Sequence, residues 1–136
     1  MQMPPPDPRI LARRGAIVAA LRAALPGVPV IDDPQETRAY ECDALTAYRC
    51  PPLCVVLPSS TGEVAAALRL CHAQGVPVVP RGAGTSLAGG ALPTADAVVI
   101  GLSRMTRVLE VSAADRFVRV EAGRTNLSVS QEVEPL

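Results

Sequence analysis

Lysine is absent from this chain: all 13 basic residues are arginine. That removes a Schiff-base lysine and a phosphate-loop lysine together. Tryptophan is also missing, and one Phe and two Tyr bring the aromatics to only 2%. A protein that stacks nucleic-acid bases needs more. Thirteen acidic residues balance the arginines to a net charge of zero, which argues against a phosphate-backbone binder. No nucleic-acid partner is expected. A single histidine, His72, cannot build a multi-histidine metal site or a histidine relay. The four cysteines, at 42, 50, 54 and 71, form no C-x-x-C pair. They are read as small core thiols rather than as a zinc or cluster site, so no metal is assigned. No apolar run approaches the roughly 18 residues of a membrane-spanning helix. The Pro-rich start, Met1 to Pro8, lacks the regions of a signal peptide. The chain is therefore expected to be cytoplasmic, peripheral to the inner membrane only through partners.

What is present is a small apolar domain. The 136 residues are 49% hydrophobic, which suits one domain with a real core. Residues 1–8 are read as a disordered N-terminus, Met1 to Pro6 most plainly, with the domain running over 9–136. Asp7-Pro8 is an N-cap and first-turn proline, opening a helix to about Leu25. Ile10, Leu11, Ile17, Val18, Leu21 and Leu25 form its apolar stripe. Pro29 to Ile31 is a candidate short strand, and residues 32–52 read as irregular or weakly helical. Leu53 to Leu57 is a compact buried strand. Ser60 and Glu63 then make a capping box for a helix to about Gln74, where Gly75 is a natural C-cap. Val76 to Val79 is a second strand, so residues 53–79 form a βαβ unit with parallel strands and a right-handed crossover. Ala97 to Leu102 is a third strand. Val108 to Val111 and Phe117 to Ala122 make a hairpin around Ser112 to Asp115. Val118, Val120 and Ala122 share one of its faces; Phe117, Arg119 and Glu121 share the other. Thr125 caps a final helix of about nine residues, ended by Pro135.

The chemistry is concentrated in Pro80-Arg-Gly-Ala-Gly-Thr-Ser-Leu-Ala-Gly-Gly90. Four glycines in eleven residues permit positive φ and close backbone approach to a ligand. Successive inward-turned N–H groups make an anion-binding nest. Thr85 and Ser86 can add hydroxyl donors, and Arg81 can add charge. The loop leaves a strand of an α/β sheet, a usual place for a nucleotide, so the residues point to a diphosphate. The alternative is a Gly-rich turn with no ligand. The G-x-G-x-x-G fingerprint fails because Leu87 stands where the third glycine belongs, and no acidic residue follows about 20 positions later.

This loop, PVVPRGAGTSLAGGALP (Pro77 to Pro93), resembles the pyrophosphate loop of FAD-linked oxidases of the vanillyl-alcohol-oxidase type, with a PCMH-type FAD-binding domain. The stretches YECDALTAYRCPPLCVVLPSSTGEVAAALRLC (residues 40–71) and VEAGRTNL (residues 120–127) resemble the same family. Tyr40 to Arg49 points to its glycolate oxidase D-subunit branch. The resemblance covers roughly residues 10 to 134. It implies an α/β to α+β fold: the first βαβ subdomain of that FAD-binding domain and the start of the second. It implies that the backbone of Arg81, Gly82, Ala83, Gly84, Thr85 and Ser86 holds the FAD pyrophosphate, with Gly89 and Gly90 nearby. Pro58 falls where the family lines the adenine end. Some members attach flavin through a histidine in this loop; none stands here, so the FAD is expected to be non-covalent.

Members of the family continue for hundreds of residues, and their substrate cap and catalytic residues lie far downstream. The chain is therefore expected to be a truncated or fragmentary FAD-binding part, with no catalytic residue of its own. Alone, even with added FAD, it should not reduce a dye acceptor with glycolate or D-lactate. Its intact relative would oxidise glycolate or a similar 2-hydroxy acid, passing two electrons to FAD within a complex of glycolate oxidase subunits. The alternatives are a stand-alone nucleotide-binding or partner-binding module, and part of a D-lactate-type flavoenzyme. The faces of strands 97–102 and 117–122 are expected to be left exposed, giving self-association through an open edge. Among other polar residues, His72 reads as a solvated helix-end group and Asp115 as a turn residue. Arg116 and Arg119 read as exposed decoration. Glu41 and Asp43 read as turn-capping or solvated rather than as an acid/base pair.

Overall fold

The structure is a computed structural model that describes residues 3–134. Asp7 caps the first helix by accepting the Arg9 amide, and α1 (Pro8–Ala12) follows. The Asp7 amide is itself held by the Asp96 carboxylate at 2.8 Å. Asp7 and Pro8 thus start the first helix. Met1, Gln2, Pro135 and Leu136 lie outside the described residues. The single helix expected to Leu25 is divided: Arg13 leaves helical geometry (φ −99°, ψ 7°), and α2 covers Arg14–Ala24. Across this break Ile10, Ile17, Val18, Leu21 and Leu25 all stay buried, while Leu11 turns out to solvent at 38% exposure. Arg13 donates from the break to the carbonyl of Gln74 (3.1 Å), tying the first helices to the end of another.

β1 (Val30–Ile31) is short, as its isolated apolar run suggests. Residues 32–52 hold the brief helix α3 (Pro34–Thr37), capped by Asp33, a 3₁₀ turn (Arg38–Tyr40) and irregular backbone. β2 (Cys54–Val56) is wholly buried. α4 (Thr61–Gln74) starts on the capping box: the Ser60 hydroxyl accepts the Glu63 amide, and the Glu63 carboxylate reaches back to the Ser59 amide. It ends at Gly75 in the left-handed region (φ 65°), where only glycine is at ease. β3 (Val78–Arg81) begins two residues later than the apolar run predicts and takes in Pro80. A proline in a ladder requires an edge strand, and β3 is one.

β4 (Val98–Gly101) completes a four-stranded sheet of order β1-β2-β4-β3. β2 and β3 each pair with β4 in parallel, and β1 pairs antiparallel with β2. The two strands of the expected βαβ unit are thus parallel but separated by β4. This overturns one expectation. Residues 97–100 are at most 2% exposed, because β4 is inserted at the centre of the sheet, where neighbouring strands and the helices cover it. Cys54, Val56, Val98 and Ile100 form one cluster with Ile17, Leu21, Ala67 and Cys71 of the helices. Two cysteines, Cys54 and Cys71, are core thiols as read; Cys42 and Cys50 are only half-buried. Burial pushes the Cys54 thiol up to about 12.

Beyond residue 102 the chain changes character. β5 (Val108–Ser112) and β6 (Phe117–Val120) form an antiparallel hairpin with a register irregularity near Glu110. Its turn is held by Ser112 and Asp115, as that aspartate predicts. α5 (Asn126–Val133) is capped by Thr125 and buries no residue fully.

Candidate functional site

The parallel strands β2, β3 and β4 end on the same side of the sheet, and the connection from β3 to β4 crosses that end. It contains no helix, only the Gly-rich loop and its continuation. Gly84 (φ 72°) and Gly89 (φ 74°) take backbone geometry that a side chain would strain. Among the described residues, no acceptor within the protein takes the amide N–H of any residue from Gly82 through Leu87. Six consecutive donors are therefore open on a mostly exposed loop. Exposed amides are met by water when nothing else binds, and a consecutive run of them on one loop can instead turn to an anion with several oxygens. The Ser86 hydroxyl accepts the Ala88 amide (3.1 Å), shaping the turn where the loop bends back.

Arg81 sits at the root of the loop. Its Nη1 donates to the Cys42 carbonyl at 2.7 Å, and its guanidinium lies 5.6 Å from the centroid of the Tyr40 ring. A Cβ on Gly84 would run into that guanidinium. The arginine is thus folded back beneath the loop, placing its charge close to the open amides. The segment from Tyr40 to Leu45 forms the facing wall. The Ala44 amide donates to the Ser86 carbonyl (3.0 Å), and Leu45 reaches to 3.9 Å from where a Gly89 Cβ would stand. A cleft of about 460 Å³ lies against this junction, lined by Leu45, Tyr48, Ala88, Gly89, Leu92 and Thr94 among others.

Of the residues the sequence selects, Arg81 through Ser86, Gly89 and Gly90 are brought together in this one loop. Gly90 would place a Cβ 3.9 Å from the Ser86 hydroxyl. Pro58 follows β2 at the same end of the sheet, but β4 stands between it and the loop and its side chain is less than 2% exposed. Tyr40, Cys42 and Ala44 are the residues sequence reasoning missed. They act through a ring face, a carbonyl and an amide, across about 40 positions of chain, and no local pattern marks such contacts. Glu41 pairs with Arg49 (3.1 Å), so it makes no acid/base pair with Asp43. His72 is exposed on the last turn of α4.

Comparison with known proteins bears on the same residues. The FAD binding domain family model matches residues 52–135, which include the whole loop. The chain belongs to this family. Glycolate oxidase subunit GlcD of Escherichia coli (strain K12) is 44% identical over 122 residues, 90% of this chain and 24% of that protein. D-2-hydroxyglutarate dehydrogenase of Xanthomonas citri pv. viticola is 36% identical over 117 residues, 86% of this chain and 23% of that protein. The chain thus spans about a quarter of the length of these relatives. A crystal structure of p-cresol methylhydroxylase with substrate bound superposes with a TM-score of 0.79, at 16% identity, covering 96% of this chain and 25% of that one. The fold is that of the PCMH-type FAD-binding domain, and FAD is the cofactor of the family. The open amides, the two positive-φ glycines and the arginine beneath them fit its pyrophosphate. No described helix is long and apolar enough to cross a membrane.

Proposed function

We propose that residues Arg81 to Ser86 hold the pyrophosphate of FAD, with Gly89 and Gly90 closing the loop, in a flavin-dependent oxidoreductase acting on a 2-hydroxy acid of the glycolate class. The observation that carries the site is the run of six amides without protein acceptors. The 44% identity to a glycolate oxidase subunit supports the substrate class. Bound FAD supplies the two-electron acceptor. The chain's own part is to bind and orient it: loop amides and the Arg81 charge meet the phosphates, and Gly84 leaves room for their approach. With no histidine in the loop, the flavin is held non-covalently. We place the protein in the cytoplasm, in contact with further subunits of a glycolate-oxidase-type complex. The 36% identity to a D-2-hydroxyglutarate dehydrogenase keeps a larger 2-hydroxy acid as the second reading.

Titration of the chain with FAD, followed by flavin fluorescence, tests the site. Saturable binding is expected, with flavin absorbance released on denaturation. Gly84→Val strains a positive-φ position and drives a side chain into Arg81, so it should abolish binding while far-ultraviolet circular dichroism stays unchanged. Equal binding by both proteins would place the pyrophosphate elsewhere.

A further inference from the structure

One buried charge beside the loop has no role in the reading above. Asp43 is 4% exposed. Its Oδ1 accepts the Leu45 amide at 2.9 Å, and its Oδ2 has no hydrogen-bond partner. An unpaired oxygen on a buried carboxylate is costly, more so than a neutral group in the same position. Its neighbours in sequence hold it against the loop: the Cys42 carbonyl takes the Arg81 guanidinium and the Ala44 amide binds the Ser86 carbonyl. The residue therefore stands between the two contacts that join the Tyr40–Leu45 wall to the phosphate loop.

A carboxylate cannot accept a bond from a pyrophosphate, whose oxygens are acceptors and carry the same sign of charge. It needs a donor. The groups covalently nearest the phosphates of FAD that can donate are the hydroxyls of its ribose and of its ribityl chain. We propose that Asp43 accepts a hydrogen bond from one of these hydroxyls, and so selects a phosphate ester of a polyhydroxylated carbon chain over a bare anion. This rests on the loop being the pyrophosphate site. The loop alone would hold any diphosphate, and Asp43 adds the requirement for the attached sugar or ribityl group. Its negative charge would at the same time disfavour free pyrophosphate.

The test is calorimetric titration of the wild-type chain and Asp43→Asn with FAD and with inorganic pyrophosphate. Asparagine keeps an acceptor for the Leu45 amide but offers a weaker, uncharged partner to a hydroxyl. A bond to a charged group contributes about 1.5–3 kcal/mol, so FAD affinity should fall roughly 10- to 150-fold. Pyrophosphate affinity should stay the same or rise. Unchanged FAD affinity would overturn the proposal, as would an equal loss for both ligands, which would mean that Asp43 only shapes the loop. If Asp43→Asn does not fold, the side-chain carboxyl resonance of Asp43 in ¹³C-aspartate-labelled wild-type chain decides instead. It should shift with FAD and not with pyrophosphate, and no shift with FAD would overturn the assignment. Failure of the wild-type chain to bind FAD at all would defeat the site reading itself, and is distinguished by being seen before any variant is compared.

Discussion

The molecule has two halves held together by different physics. From Ile10 to Ile100 a continuous apolar cluster joins α1, α2 and α4 to the faces of β2 and β4, and its members are nearly all inaccessible to water. After residue 102 the only fully buried apolar side chain among the described residues is Met105. There the chain is held by polar links. Glu121 accepts the Arg107 amide, Nε and Nη2 between 2.7 and 2.9 Å, and Arg124 donates to the Thr106 carbonyl. The Gly123 amide donates to the Met105 carbonyl at 2.8 Å. A Cβ on Gly123 would collide with the Leu102 carbonyl oxygen, so this junction depends on a bare backbone. Leu109, Val111, Phe117 and Leu127 remain 39–68% exposed. The Gly-rich loop belongs to the first half. The site is thus built on the part whose core is complete, on a loop that leaves the edge strand β3 and leads back to the buried strand β4.

The largest effect expected from this difference is in stability. Leu21 is fully buried, and Leu21→Ala should cost about 2–5 kcal/mol by lost transfer energy and the cavity left behind. Val118 on β6 is only half-buried, and Val118→Ala should cost under about 1 kcal/mol. Urea unfolding of both variants checks this. Equal losses would mean that the halves share one core after all.

Amide hydrogen exchange sharpens the same comparison residue by residue. Local opening costs least where few apolar contacts must break. Amides of β2, α4 and β4 should exchange slowly, near the global limit, and those of β5, β6 and α5 should exchange faster. Uniform protection through residue 134 would make the whole chain one cooperative unit.

Much of the first half was legible in the sequence because its signals are local. The Asp7-Pro8 start, the Ser60–Glu63 box and the Gly75 stop each satisfy backbone groups within a few residues, and each stands where expected. The loop was legible because glycine density itself carries the geometry. What escaped was everything that depends on strand order. An apolar run at 97–102 says "strand" but not "central", so its faces were expected to be open when in fact both are covered. Pro80 fits an edge position once it is seen inside β3, but the apolar run at 76–79 stops short of it. Glu121 was placed on the outer hairpin face by alternation, yet it is 8% exposed. The irregular register near Glu110 and the Arg107 guanidinium draw it inward, and neither is visible as a period of two.

Association in solution offers a smaller effect. Among the described residues the two-stranded sheet has both outer edges unpaired, and a hollow of about 330 Å³ between the hairpin and α5 is lined by Val111, Phe117, Val118 and Val133 among others. Open edges and exposed apolar side chains together favour pairing with another copy. Sedimentation velocity should show a concentration-dependent dimer, weakened by Leu109→Ser with Phe117→Ser. A monomer at all concentrations would mean that the hairpin is self-sufficient.

The smallest effect is a pH dependence confined to the second half. The Arg107 side chain, and then its backbone amide, hold the Glu121 carboxyl below its ordinary value of 4.5. A carboxylate whose pKa is lower folded than unfolded binds fewer protons in the native state. Its contribution is fully present above the ordinary value and is lost as pH falls through the depressed one. Lowering the pH from 6 to 3 should therefore loosen the Arg107–Glu121 clasp and lower the protection of β5 and β6 relative to the intrinsic exchange rate at each pH, while that of β2 and β4 holds. Glu121→Gln removes the titrating group, so its hairpin should exchange faster at pH 6 and change less on acidification. The two proteins should converge as the wild-type carboxylate becomes protonated. Asp7 provides a control in the first half: the Arg9 side chain pulls it down to about 2, yet the contact spans only two residues and is open to solvent, where ion pairs count for little. If acid instead loosened both halves together, the polar clasp would not be what separates the hairpin's stability from that of the sheet.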